Sequence, residues 1–358
     1  MPSIEQIRAM LADHGIHHVG VTDADVLETT RQILHERKDA GLNDGMQFTY
    51  RNPDRSTDPR RAVPDAQSVI VAARPYLLRD DPAPPIGGLP ARVGRYAWVD
   101  HYGPLRVALR AIAEELKRHG HRAQVFADDN SIVDRAVAHR AGLGWFGKNA
   151  NLLLPGAGSF FVLGCIVTNA VYEPAQRPAP DGCGSCVRCL DDCPTQAIIA
   201  PGVIDGARCL SWILQKPGSI DPAHREAVGD RIYGCDDCQD VCPITVRLGR
   251  RDPDRNTVEV GAGADVQSHV DVLDLLDADD ATIEARYGRW WIAGREMRWL
   301  RRNALIVIGN VAGPGTDAVG RRVRATLDRY RADPDPILAE HAAWAADRID
   351  TRHPTRHP

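Results

Sequence analysis

The chain has 358 residues, 44 Lys and Arg against 48 Asp and Glu, and a formal net charge of −4; the length suggests two or three domains, and the charge balance excludes a general nucleic-acid coat while leaving room for a local basic patch. The apolar fraction, 43%, is ordinary for a globular protein. The start, Met1-Pro2-Ser3-Ile4-Glu5, carries no basic n-region, apolar h-region or twin arginine, and no apolar run approaches the ~20 residues of a membrane span, so a reduced, cytoplasmic protein without a membrane partner is expected.

In chain order, residues 3–15 read as an amphipathic helix with Ile4, Ile7, Met10 and Leu11 on one face, followed by a short strand at 18–22 and a helix over 25–40. The Arg- and Pro-rich stretch 51–66 reads as loop, Ser68 to Ala73 as a buried strand, and the proline-rich 78–93 as loop. Leu105, Leu109, Ile112 and Leu116 sit at core spacing in a helix ending at His119, with Gly120 as its stop. A strand at 123–127, a helix over 131–141 and apolar strands at 151–154 and 160–167 complete an alternation that predicts an α/β domain over roughly 1–175. Pro174, Pro178 and Pro180 lead into a cysteine region, 181–250, with short helices at 207–216 and 221–228. Residues 251–268 read as an Asp/Gly-rich linker. From about 270 to 349 the pattern is helical, with Leu300, Ala304, Leu305 and Ile308, then Ile337, Leu338, His341, Ala342, Trp344 and Ala345, spaced like faces of paired, HEAT-like helices. So few units must lean on the rest of the protein to bury those faces.

The cysteine region carries the strongest chemical signal. Cys183-x2-Cys186-x2-Cys189-x3-Cys193-Pro194 is the ligand pattern of bacterial-type iron–sulfur proteins, in which the fourth thiolate of a run ligates the other cluster. Cys235-x2-Cys238-x3-Cys242-Pro243 and the isolated Cys209 supply the rest. The spacing suggests crossed ligation of two [4Fe–4S] clusters: Cys183, Cys186, Cys189 and Cys242 on one, Cys193, Cys209, Cys235 and Cys238 on the other. Zinc is a weaker reading, because the first run alone already gives four ligands followed by proline. A disulfide framework belongs to small secreted domains. Cys165 lies outside both runs in an apolar stretch and reads as a buried thiol.

Two clusters side by side conduct single electrons, and the preceding domain offers room for whatever uses them. Its densest polar constellation is Asp128-Asp129-Asn130-Ser131, at the end of the 123–127 strand. Ligands in open α/β sheets sit at such ends; equally, Asp, Asn and Ser cap helices well and a helix follows. The next segment, Gly142-Leu143-Gly144-Trp145-Phe146-Gly147-Lys148-Asn149, matches neither a P-loop nor a dinucleotide fingerprint. It reads either as a glycine turn against a large cofactor or as a plain structural loop.

The blocks DRAVAHRAGLGWFGKN (134–149), GSFFVLGCIVTN (158–169), CGSCVRCLDDCPTQAI (183–198), ARCLSWILQ (207–215) and GDRIYGCDDCQDVCPI (229–244) resemble the epoxyqueuosine reductase family over nearly the whole chain. The resemblance implies a cobalamin-binding α/β domain (1–178), a ferredoxin-like module for two [4Fe–4S] clusters (179–250) and a linker with an all-α, HEAT-like region (251–358). It implies reduction of epoxyqueuosine to queuosine at the tRNA wobble position by a monomer fed by a low-potential electron donor outside the chain. Asp128 matches the family's general acid, a role suited to protonating the oxygen of an opened epoxide. Asp134, the neighbouring carboxylate, is expected in a structural ion pair with a nearby arginine. Lys148, Asn149, Leu152 and Leu163 match segments lining the corrin. Ser211 and the Tyr233–Cys238 stretch, with Cys235, Asp236, Asp237 and Cys238, match the part of the cluster module facing it. The cluster of Cys193, Cys209, Cys235 and Cys238 is then the one nearer the cobalamin, and the other is where electrons enter.

Two segments depart from the family pattern. Val99-Asp100-His101-Tyr102-Gly103 stands where members usually read Gly-x-Asp-Tyr-His, with only Tyr102 in register, and Arg55-Ser56-Thr57-Asp58-Pro59 departs from the usual placement of Arg before that proline. They leave open a diverged reductase acting on a small molecule, as reductive dehalogenases do, and a non-catalytic electron-transfer protein stands as a further alternative. For tRNA the candidate surface is Arg286-Tyr287-Gly288-Arg289-Trp290-Trp291 with Arg295, Arg298, Arg301 and Arg302, and secondarily Lys216. The alternative there is a solvated helix face with its tryptophans in the core.

Overall fold

The computed structural model describes residues 1–352 except positions 84, 86, 249, 250, 262, 263 and 316. The chain groups into two packing units: Met1–Asp80, Asp100–Ala207 and Asp237–Ala264 form the first, and Asp81–Val99, Arg208–Asp236 and the chain from Asp265 onward form the second.

In the first unit four strands form an antiparallel sheet in the order His18–Asp23, Ser68–Pro75, Phe161–Thr168, Ala123–Ala127. The two central strands are buried along nearly their whole length, which explains their continuous apolar runs. Alternate residues serve opposite layers. Val69, Val71, Leu163, Cys165 and Val167 share a core with Ala136, Val137 and Ala138 of the helix Asp134–Arg140. On the other face the helix Tyr102–Arg118 buries Leu105, Leu109, Ile112 and Leu116. Gly164 allows its close approach, since a Cβ there would stand 2.7 Å from Leu109 Cδ1. The N-terminal helix Ile4–Ala12 starts at a capping box between Ser3 and Gln6.

Several expectations change. The strands alternate with helices as read, but every pairing in this sheet is antiparallel, so the strand-end rule for parallel sheets does not place Asp128. The expected loop 51–66 contains a short helix, Pro53–Ser56, capped by Asn52, and a 3₁₀ turn, Pro59–Arg61, started by Asp58. The departing segment Arg55–Pro59 is therefore built into the frame: Ser56 and Thr57 are buried, and their carbonyls accept the amides of Val133 and Leu27. The helix expected from 131 begins at Asp134. The expected linker 251–268 carries a helical turn, Pro253–Asn256.

In the second unit Pro90–Val93, expected as loop, is the middle strand of a three-stranded sheet, parallel to Arg231–Tyr233 and antiparallel to His269–Asp271. Beyond it the chain is helical as expected, through Val272–Asp277, Asp280–Tyr287, Arg298–Val311, Ala318–Arg331 and Pro336–Arg352. Two buried polar side chains of this unit show how burial is met by bonding. Asn303 donates to the carbonyls of Leu214 (2.8 Å) and Ile232 (2.9 Å). His341 sits between the Ile337 carbonyl and the Ile220 amide, at 2.6 and 3.2 Å, and burial pulls it down to about 4. No described helix is long and apolar enough to cross a membrane.

Candidate active site and cysteine cradle

The strand Ala123–Ala127 ends and the backbone turns at Asp128 with φ 58°, a left-handed conformation that Asp tolerates better than most side chains. Asp128 is not a helix cap: the following helix starts six residues later, and Val133 before it provides no side-chain cap. The local turn is held by its neighbours instead. Asp129 Oδ1 accepts the Ser131 amide at 2.7 Å, and Asn130 Oδ1 accepts the Thr49 amide at 2.9 Å. The Asp128 carboxylate faces Arg106 at 3.9 Å and is 52% exposed. Desolvation by the surrounding protein nonetheless raises its pKa, with Arg106 opposing the shift and Asp129 adding to it.

Burial also pushes up Asp134, with Arg135 opposing and Asp128 adding. The ion pair expected of Asp134 does not form. Its Oδ1 accepts the Arg135 amide at 2.6 Å, while the Arg135 guanidinium turns to the Ala150 carbonyl at 3.4 Å. Tyr102 lies under Arg106, whose Cζ is 5.6 Å from the ring centroid. Burial, then Asp134 and Asp128, drive the Tyr102 hydroxyl upward. Cys165 is the buried thiol the sequence suggested, pushed up by burial. Arg106 escaped sequence reading, because its relation to Asp128 appears only once the helix lies over the strand.

The glycine segment resolves into a structural hairpin, Trp145–Phe146 pairing with Leu152–Leu153. A Cβ on Gly144 would stand 2.2 Å from the Leu153 carbonyl oxygen, and one on Gly147 2.1 Å from Leu153 Cδ1. These glycines therefore make room for the segment's own partner strand. Lys148 donates to the carbonyls of Gly184 (2.8 Å) and Cys186 (3.0 Å). Asn149, buried, donates to the Cys238 carbonyl at 3.1 Å. Leu152 and Leu163 lie in the core behind them.

None of the nine cysteines is in a disulfide, and all but Cys165 are partly exposed. Cys183, Cys186, Cys189, Cys193, Cys238 and Cys242 belong to the first unit; Cys209 and Cys235 belong to the second, with Ser211 and Asp236, while Asp237 falls in the first. Cys189 is pushed up to about 11 by burial, then by Cys242 and Cys183 and, more weakly, Cys186. The last cysteine of the second run thus shares a neighbourhood with the first three of the other run. Cys193 Sγ accepts the Ala197 amide at 3.2 Å, and Asn151 Nδ2, unnoticed in the sequence, stands 3.9 Å from Cys238 Sγ. Hydrogen bonds to sulfur are among the groups that tune an iron–sulfur centre. In the second unit Asp236 accepts the Arg95 amide at 2.7 Å. Among the described residues, no three His, Cys, Asp or Glu side chains converge on a single ion.

The arginine and tryptophan stretch is divided: Arg286, Arg289, Arg295 and Trp291 are exposed, Arg298 and Arg301 half-buried, and its other arginine and tryptophans packed inside. Trp290 and Trp299 are buried and donate to the carbonyls of Ala97 (3.0 Å) and Ala293 (3.1 Å). Arg302 is wholly buried, bonded to the carbonyls of Ile213, Lys216 and Gly218. Arg298 pairs with Asp335, Arg301 with Asp280 and Arg295 with Glu284, and Arg289 donates to the Trp98 carbonyl. Trp291 alone of these tryptophans stays exposed, tilted against Trp212 at 5.7 Å.

The comparisons with known proteins fall on the same regions. A family model for a 4Fe-4S double cluster binding domain matches residues 182–245, and one for epoxyqueuosine reductase QueG, DUF1730, matches residues 56–129. The chain is similar to the epoxyqueuosine reductase of Lactococcus garvieae, 32% identical over 366 residues, covering 98% of this chain and 97% of that protein. It is also similar to a solved epoxyqueuosine reductase holding a tRNA-Tyr epoxyqueuosine-modified stem loop, at 28% identity and TM-score 0.84, over 97% of this chain and 90% of that one. The Bacillus subtilis enzyme, solved with its catalytic aspartate loop swung out of the active site, matches at 26% identity and TM-score 0.83, again over 97% and 90%. Likeness over the full length, and not in the cysteine region alone, places the chain in the epoxyqueuosine reductase family, with a 4Fe–4S double-cluster domain.

Proposed function

We propose that this chain reduces epoxyqueuosine to queuosine at the tRNA wobble position, with cobalamin as the reducing cofactor, two [4Fe–4S] clusters as its electron supply and Asp128 as proton donor. The conversion breaks both C–O bonds of the epoxide, forms a C=C bond and releases the oxygen as water, consuming two electrons and two protons. The observation that carries the reading is the placement of Asp128: half-exposed, released from any capping duty and with its pKa raised by desolvation. A carboxylic acid so placed can protonate the departing oxygen and be recharged from solvent.

Cys183, Cys186, Cys189 and Cys242 would hold one cluster, and the neighbourhood of Cys189 fits it. Cys193, Cys209, Cys235 and Cys238 would hold the other, with the Ala197 amide and Asn151 turned to two of its sulfurs. Cobalamin, when bound, supplies low-potential electrons or a cobalt nucleophile. The residues matched to its site fit in two ways. Asp128, with Arg106 and Tyr102, is accessible to a ligand. Asn149, Leu152 and Leu163 are buried and half-buried Lys148 is bonded to the Gly184 and Cys186 carbonyls, so we assign them to shaping the wall and holding the cysteine segments. The functional division 1–178, 179–250 and 251–358, with a HEAT-like last part, cuts across the packing units, because the cysteine region contributes to both. A monomer in the cytoplasm, fed by a low-potential donor at the Cys183-side cluster, completes the reading.

The test is nucleoside mass spectrometry. Anaerobically purified, cofactor-loaded protein should convert an epoxyqueuosine-bearing stem loop to queuosine, and a deletion strain should accumulate epoxyqueuosine. An unchanged queuosine level in that strain sinks the reading.

A further inference from the structure

We propose that Arg106 is a positioning residue for the proton donor: one guanidinium grips both the end of the Ala123–Ala127 strand and the carboxylate that follows it, fixing where Asp128 stands. The inference rests on the reading of Asp128 as the acid. Arg106 lies near the start of the helix Tyr102–Arg118. Its Nε donates to the Ala127 carbonyl at 3.4 Å, and its Nη2 stands 3.9 Å from Asp128 Oδ2. The two contacts straddle the left-handed backbone of Asp128, a conformation that persists only where its surroundings over-determine it. Tyr102, one turn earlier on the same helix face, supports the guanidinium from below at 5.6 Å. A planar fork suits this double grip and a single ammonium does not.

The same contact adjusts the acid. Asp129 on its own loop, Asp134 and Arg135 on the following helix, and Tyr102 and Arg106 on the helix above make up the charged and titratable surroundings of Asp128. Burial and Asp129 favour the protonated carboxyl, and Arg106 opposes them. Without Arg106, Asp128 should hold its proton to higher pH.

The test compares Arg106→Gln, Arg106→Lys and Asp128→Asn in the cofactor-loaded enzyme. Infrared difference titration reads the carboxyl directly, with its band assigned by its absence from Asp128→Asn. Arg106→Gln should move that titration up by roughly half to one pH unit, a modest effect for a half-exposed pair. It should carry the upper limb of the pH–rate profile with it and lower kcat about tenfold, with KM for the stem loop unchanged. Arg106→Lys should keep the wild-type titration but still lose kcat, and it serves as the test if the glutamine variant does not fold. Unshifted titration and wild-type kcat in Arg106→Gln, or wild-type kcat in Arg106→Lys, overturn the proposal. Wild-type reduction by Asp128→Asn overturns instead the reading beneath it.

Discussion

Two stretches of this chain look equally loaded with chemistry, Cys183–Cys193 and Arg286–Arg302, and they come to opposite ends. The cysteines stay free and partly exposed, with one another and a backbone amide as neighbours. In the other stretch Arg302, Trp290 and Trp299 are buried against carbonyls and core side chains and Arg298 pairs with Asp335, while Arg286, Arg289, Arg295 and Trp291 stay exposed. Residue type marks where chemistry is possible; packing decides which of those side chains are used up within the fold.

The contrast can be broken at either end. Cys189→Ala should be the most damaging change. Iron content should fall to about half and reduction should vanish, as one of two clusters is lost; full iron content by elemental analysis would refute the assignment. Asp128→Asn should keep iron and cobalamin yet lower the reduction rate by about 10²–10⁴-fold, and single-turnover rates close to wild type would remove it as the acid. Arg302→Met should act on stability and not on RNA. Stranding several buried carbonyls costs about 3 kcal/mol, read as a lower urea midpoint with stem-loop affinity unchanged. A weaker affinity at an unchanged midpoint would restore the basic-face reading.

His341 gives a smaller, pH-dependent effect. Its Nε2 accepts the Ile220 amide, so a second ring proton would set donor against donor. Its value drops from the ordinary 6.5 to about 4 in the folded chain. As pH falls from 6.5 toward 4, the unfolded chain takes up a proton that the folded one refuses, and stability declines by about 2 kcal/mol by roughly pH 5. His341→Gln should lose that slope; equal slopes in urea titrations at about pH 7 and pH 5 would contradict the mechanism. Cys165→Ala should cost least, about 1 kcal/mol for a small buried void, with unchanged iron content. Loss of iron would mean that the buried thiol belongs with the others.

Which sulfurs share a cluster is not a local matter, since Cys189 and Cys242 lie in different runs; the double-cluster domain itself was legible because the Cys-x2-Cys spacing is local. The central strands and the helix over Leu105–Leu116 were legible for the same reason, through apolar periodicity. The strand Pro90–Val93 was not, since both of its partners lie far along the chain and its prolines argued for loop. The direction of the sheet was equally invisible, because alternation of helix and strand does not specify how the strands pair. At the candidate site, whether Asp128 caps a helix turned on where the next helix starts, a boundary that propensity places only loosely. Arg302 deceived because an arginine beside tryptophans has the same letters whether it meets phosphate or backbone carbonyls.

Lys148 and Asn149 have a consequence for how the metal centres are built. Lys148 tethers the loop Cys183-Gly184-Ser185-Cys186 through the Gly184 and Cys186 carbonyls, and Asn149 tethers the segment of Cys238 through its carbonyl. These tethers use the main chain and not the sulfurs. A tethered loop has less freedom left to lose than a floppy chelator, so less ordering entropy opposes ligation. The hairpin segment thus braces two cysteine-bearing stretches whose contact its own residues did not announce.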